Sequence, residues 1–314
     1  MDGFVAPGAG RRRTLRSRIG FVGTGLHSGR RIRGALAPAA SGEGISFFRT
    51  DLGIAIPALF DQVVDTRLCT MLGMGDARVG TVEHVMAALA AQGVDDAVVE
   101  LDGPEVPVFD GSAEPFQFLL DCAGVVTHPG MASRIEVLRT IRVTDGTAPD
   151  AAWAELQPAE GAFLHAELEI DFAATAIGRQ RLSLRVTPAS FRAELAAART
   201  FTMAEDVVRL RDAGLALGGS LDNAVVVDDA QVLNAGGLRS PDEFVRHKLL
   251  DVVGDLALAG APLAARFLGH RTGHALNNRL LHALFADPAA WRLTGGHAVA
   301  DGVSVRLPAA AAAA

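Results

Sequence analysis

The sequence predicts an α+β fold organised as two domains. Three observations carry that expectation. The 314 residues exceed what a single hydrophobic core usually organises. Short strand-like runs broken by Gly and Pro fill residues 12–70, and the same grammar returns from Arg134 in RIEVLRTIRVTD, WAELQP and LHAELEIDF. Each half then ends as helix, strand, helix, which points to an old duplication of one α+β unit.

In the first half, helices are expected near 81–92 and 112–123, on either side of the strand VDDAVVELD at 94–102. Thr81 is the expected cap of the first of them. The segment VVTHPGMAS, 125–133, reads as the linker. This sets the units at 12–127 and 131–306, with loose termini at 1–11 and 307–314. The arginines between Arg11 and Arg18 read as a solvated basic arm leading into a strand, and the closing alanines as a frayed end. In the second half, helices are expected near 189–198, 204–213, 240–259 and 274–286, with the strand LAARFLG before the last.

Composition narrows the function. A formal charge of −7 argues against non-specific nucleic-acid binding, which draws on a basic excess. No apolar run approaches the roughly 18 residues of a membrane span, and the start lacks a signal-peptide core. Cys69 and Cys122 have no CxxC spacing and read as reduced thiols of a cytoplasmic protein.

The chemistry concentrates in FVRHKLLDVVGD, where His247, Asp251 and Asp255 recur at steps of four on one helix face. An imidazole and a carboxylate one turn apart can point at one divalent metal, and a further carboxylate can orient a neighbour. The plain alternative is an i, i+4 pair on a solvated face, worth a few tenths of a kcal/mol. A second stretch, GTVEHVMAAL, places Glu83 and His84 in the first turn of another helix. A catalytic zinc takes three protein ligands and keeps one position for water, so His84, His247 and Asp251 would complete the set, with Glu83 as base. The metal would then lie between the two domains.

The segments TVEHVMAALAAQGVDDAVVELDGPEVPVFDGSAEPF, ARTF, LGGSLDNAVVVDD, DEFVRHKLLDVVGDL and TGHALNNRLL, in order between about Arg13 and Trp291, resemble the UDP-3-O-acyl-N-acetylglucosamine deacetylases, zinc enzymes of lipid A biosynthesis. The resemblance implies a sandwich in which each domain packs a sheet against two main helices and the helices of the two domains face each other. It implies hydrolysis of the N-acetyl group of UDP-3-O-(3-hydroxyacyl)-N-acetylglucosamine, giving the glucosamine and acetate, the committed step of that pathway. One zinc is implied on His84, His247 and Asp251, with Fe(II) an alternative for such ligands, and Glu83 as general base. Thr200 matches an oxyanion donor, His274 a histidine with an electrostatic and acid role, and Asp255 the carboxylate that holds it. Lys248 and His27 fall on the diphosphate side, and Phe172 and Phe201 at the uracil and sugar. Val207, Ala216, Gly219 and Ala224 match a passage for the acyl chain. The implied partner is the UDP-linked substrate alone, bound by a monomer with no nucleic acid and no stable membrane insertion.

From the residues alone, His274 reads equally as a helix-end residue, Thr200 as a loop hydroxyl, Lys248 as surface and the phenylalanines as core. The chain also departs from the family pattern. Thr202 stands where glycine is common, His270 and Arg271 replace an aromatic–lysine pair, and tyrosine is absent. Two rival functions remain in view, an amidohydrolase of a small N-acetyl sugar and a catalytically silent sugar-nucleotide binding protein.

Overall fold

A computed structural model of the chain describes residues 10–295. Residues 1–9 and 296–314, which hold nearly all of the expected loose termini and the end of the expected second unit, lie outside the described residues.

The fold is α+β and built around two five-stranded sheets of the same connectivity. In the first, the order is Ile19–Thr24, Arg31–Pro38, Ala97–Leu101, Ile45–Arg49, Ile54–Pro57. In the second, it is Ile141–Thr144, Trp153–Gln157, Arg266–His270, His165–Asp171, Arg179–Arg185. In each, one parallel pair, 45–49 with 97–101 and 165–171 with 266–270, is flanked by antiparallel neighbours. One strand of each parallel pair shows clear period-two burial: Ala97, Val99 and Leu101 in one sheet, Ala166, Leu168 and Ile170 in the other.

Six α-helical segments occur among the described residues: α1 (Glu83–Ala91), α2 (Glu114–Ala123), the single turn α3 (Pro188–Ser190), α4 (Ala204–Asp212), α5 (Glu243–Ala257) and α6 (His274–Ala286). A parallel pair needs a crossover connection, and α1 and α5 lie in the equivalent crossovers of the two sheets. Both are buried on nearly all sides, as befits helices between layers rather than on the surface. They pack on each other, so the two halves meet helix to helix. A small sheet of Phe201–Met203, Val225–Asp228 and Gln231–Val232 carries α4, which has no fully buried residue.

Three expectations are corrected. The segment 125–133, which joins the two halves, is not the irregular connection expected. Val125–Met131 is a strand whose polar backbone is paired antiparallel with Arg11–Leu15. The basic arm is accordingly not solvated as a whole: Arg12 is 7% exposed and its guanidinium grips Asp96 at 2.6 and 2.7 Å, while Arg18 meets Glu100. Thr81 does not cap α1, whose cap position is Val82 without a side-chain hydrogen bond. The Thr81 hydroxyl donates to Glu105 instead.

Candidate metal and active site

The site forms where α1 crosses α5. The i, i+4 spacing puts His247 and Asp251 on one face of α5, and the opening of α1 brings His84 against them. The rings of His84 and His247 stand 5.1 Å apart and nearly perpendicular. Their Nε2 atoms lie 3.7 and 3.5 Å from Asp251 Oδ1, too far for hydrogen bonds. Three ligand atoms about 2.1 Å from one ion stand roughly 3.4 Å from each other, close to the spacing here. Asp251 Oδ1 is buried without a protein partner, whereas Oδ2 accepts from Lys248 Nζ at 2.8 Å. The Ala198 carbonyl, 3.1 Å from His247 Nδ1, can only accept, so Nδ1 carries the proton and the Nε2 lone pair faces Asp251. These three side chains can hold a metal ion.

Electrostatics prepares the donors. Burial, with His247 beside it, pushes the His84 imidazole down to about 3, and burial lowers His247 as well, so both rings are neutral donors near neutrality. Burial alone would raise Asp251, but His247, Lys248 and His274 around it hold its carboxyl well below the usual range. The ligand set is thus deprotonated before any cation arrives.

Glu83 and His274 complete the interior. Burial raises the Glu83 carboxyl to about 7, and the Thr70 N–H donates to its Oε2 at 3.0 Å. His274 opens α6 at its first residue. Burial would depress its pKa, yet the Asp255 carboxylate, 2.8 Å from Nδ1, lifts it to about 9. Asp255 also accepts from Asn277 at 2.8 Å and from the Thr70 hydroxyl at 2.6 Å.

A cavity of about 230 Å3 opens over these groups. Ten of the residues singled out in the sequence line it: His27, Glu83, His84, Phe172, Thr200, Phe201, His247, Lys248, Asp251 and His274. Phe201 packs edge-on against Phe172 at 5.4 Å and Phe244 at 5.0 Å, with the His247 ring at 6.3 Å. Both ring nitrogens of His27 are buried without a protein partner. Asp255 stands behind His274 rather than in the wall. The residues expected along an acyl passage do not line this cavity. Val207 is on α4, Ala224 is buried before Val225–Asp228, and Ala216 holds a left-handed conformation at φ 51°. A β-carbon at Gly219 would stand 3.6 Å from Leu26 Cδ1, and Leu26 is part of the wall.

The sequence reading misassigned Thr81, which is part of the cavity wall, and missed Glu105, Glu243 and Thr70, which support the site from outside it. Thr81, 3% exposed, adopts φ 58°, a strained conformation for a β-branched residue. Glu105 secures that turn through Thr81 Oγ1 and clamps the His27 loop, accepting from the N–H groups of His27 at 2.7 Å and Ser28 at 2.8 Å. Its one sequence signal is a carboxylate between Pro104 and Pro107 in an otherwise apolar run. Glu243, fully buried, binds the N–H and guanidinium of Arg199, and so fixes the segment bearing Ala198 and Thr200. Thr70 carried no signal at all.

Comparison with known proteins agrees in extent with this architecture. The profile of the family described as UDP-3-O-acyl N-acetylglycosamine deacetylase matches residues 12–286. Among similar proteins, the UDP-3-O-acyl-N-acetylglucosamine deacetylase of Acidithiobacillus ferrooxidans is 48% identical over 283 residues, covering 90% of this chain and 92% of its own. Those of Anaeromyxobacter dehalogenans and Myxococcus xanthus are each 45% identical, covering 95% and 92% of this chain and 96% and 91% of theirs. On this match across nearly all of its length, the chain belongs to the UDP-3-O-acyl N-acetylglycosamine deacetylase family.

Proposed function

We propose that this protein is a zinc-dependent deacetylase that hydrolyses the N-acetyl group of UDP-3-O-(3-hydroxyacyl)-N-acetylglucosamine, releasing acetate. The observation that carries the reading is the buried, unpartnered Asp251 Oδ1 faced by two imidazole Nε2 atoms, in the same cavity as Glu83. The substrate class comes from family membership and from the names of the relatives.

The donor set, two neutral imidazoles and an ionised carboxylate around an orphaned oxygen, fits a divalent ion such as zinc, with Fe(II) served by the same ligands. Held by His84, His247 and Asp251, zinc would supply a Lewis acid and lower the pKa of a water to about 7. Glu83 takes the proton of the attacking water. Burial favours that transfer by making the protonated carboxyl easier to form. Thr200 donates to the acetyl oxygen as it becomes an oxyanion. Its backbone is fixed for this by the Gly111 carbonyl and the Val225 N–H, each at 2.8 Å. His274, kept cationic by Asp255, adds positive charge beside the developing anion. The departing amine then has two proton sources facing it, Glu83 and His274.

Binding divides among the remaining residues. The Lys248 ammonium has three N–H groups and gives one to Asp251, which leaves the others for a phosphate oxygen, and the one ring N–H of neutral His27, unpartnered in the protein, can donate there as well. Phe172 and Phe201 give apolar edges to the sugar and uracil. The segment with Val207, Ala216, Gly219 and Ala224 borders the wall through Leu26 and takes the acyl chain.

The repeated sheet topology supports two units in one chain, which we set at 12–127 and 131–306 and take to act as a monomer. Two free thiols support a reducing, cytoplasmic setting. No helix among the described residues is long and apolar enough to cross a membrane.

The test is acetate release from the UDP-linked, 3-O-acylated substrate by purified protein, before and after chelation and after one equivalent of zinc. Release that disappears and returns with zinc supports the reading. Equal release from a substrate lacking the 3-O-acyl group points to a small N-acetyl sugar instead, and none from folded, zinc-loaded protein leaves a binding role.

A further inference from the structure

Thr70 is 2% exposed, precedes the strand Met71–Met74 and lies outside the cavity wall. It nevertheless hydrogen-bonds to both α1 and α5, and through Asp255 on α5 it is one residue removed from His274. Its carbonyl accepts from Val82, the cap residue of α1, at 3.3 Å. Its N–H donates to the Glu83 carboxylate at 3.0 Å, and its hydroxyl to Asp255 Oδ1 at 2.6 Å, across 185 residues of sequence.

The geometry points to Thr70 as a positioning residue that aligns Glu83 and the His274–Asp255 pair on one substrate, an assignment that rests on the deacetylase reading above. A carboxylate turns about its last side-chain bond, and turning exchanges the oxygen presented to a neighbour. Asp255 Oδ2 serves His274 and Asn277, while Oδ1 is held by the Thr70 hydroxyl, with which it forms a short, charge-assisted bond. The Thr70 hydroxyl therefore fixes the plane of Asp255, and through it the imidazole that faces the cavity. Without the hydroxyl, Oδ1 becomes a buried acceptor with one partner fewer, and the plane is free to turn.

The peptide N–H that reaches Glu83 persists in any variant other than proline, so side-chain substitutions isolate the Asp255 branch. Thr70→Val keeps the shape and removes the hydroxyl, whereas Thr70→Ser keeps the hydroxyl and removes a methyl. The expected result for Thr70→Val is a kcat lower by about 10- to 100-fold, the usual loss when an outer partner of an active-site group is removed. KM stays within twofold, and zinc content equals that of the wild type. Thr70→Ser recovers kcat to within about threefold. In an Asp255→Asn background, Thr70→Val adds less than twofold, because the partner it orients is already altered. Should Thr70→Val fold poorly, Thr70→Ala serves in its place.

A kcat within twofold of wild type in a folded hydroxyl-free variant overturns the inference. So does a Thr70→Ser variant no better than Thr70→Val, or a loss expressed wholly in KM. Wild-type protein that releases no acetate removes the deacetylase reading itself, a failure visible before any variant is compared.

Discussion

The backbone of Glu83 lies directly on Gly254: a β-carbon built at Gly254 would stand 2.0 Å from the Glu83 carbonyl oxygen and 3.0 Å from its Cα. Glycine there lets α1 and α5 approach until the side chains on either side converge on one point. Gly254→Ala must displace the helices by about 1 Å, a form of overpacking that usually costs about 1–3 kcal/mol. The expected outcome is a lower melting temperature together with weaker metal binding, measured by calorimetry and metal titration. Unchanged metal affinity would separate the helix contact from the site.

His84→Ala and Asp251→Ala should each lose bound metal and activity together, since each removes a ligand from a set of three. Glu83→Ala should keep the metal and lose turnover by about 100- to 10,000-fold, the range for a general base. Metal analysis beside acetate release distinguishes the classes. Substantial turnover in Glu83→Ala would remove it from the base role.

The Asp255–His274 contact sets a pH limit. His274 titrates at about 9 in the folded protein, above the ordinary value of about 6.5. The cation is therefore present at neutral pH, and acetate release should fall as pH rises through about 9. Asp255→Asn removes the charge that raises His274, so the falling limb should move toward 6.5. The same contact adds stability that is fully present below about pH 6.5 and is lost as pH rises through about 9, which melting curves across that window would record.

Removing the metal should lower stability as well as activity. The three ligands come from two helices far apart in sequence, so an ion bound only by the folded chain stabilises it by about 2.7 kcal/mol at one hundred times its dissociation constant. A melting temperature that rises with added zinc in wild type, but not in Asp251→Ala, is the expected signature.

Much of this was legible in the sequence for a physical reason. His247, Asp251 and Asp255 recur at the helical period, and α5 and α6 fall within or upon the ranges that the pattern gave. Periodicity is a local property, so it reports helices and the residues they carry. The strand Val125–Met131 escaped because Pro129 and Gly130 look like a connection, and only the distant partner Arg11–Leu15 turns them into a strand. Thr70, Glu105 and Glu243 escaped for the same reason. Each acts on a residue many positions away, and nothing beside them in the chain announces that partner, although the prolines around Glu105 mark it as unusual. Thr81 misled because a threonine before a helix normally caps it, whereas here its backbone turns to φ 58° and its hydroxyl goes to Glu105.

The common connectivity of the two sheets makes the seam between α1 and α5 an internal counterpart of a subunit interface. Equivalent helices face each other as they would in a two-fold dimer, but a single chain frees each copy to change alone. One carries a carboxylate and an imidazole at its start, and the other spreads one imidazole and three carboxylates, Glu243, Asp251 and Asp255, along its length. A symmetric pair would present every group twice and give no reason for a carboxylate on one side to be base and on the other ligand. Joining the halves in one polypeptide lets the two helices carry unlike groups, and on the proposed reading that asymmetry would separate a proton acceptor on α1 from ligands that stay deprotonated around a cation.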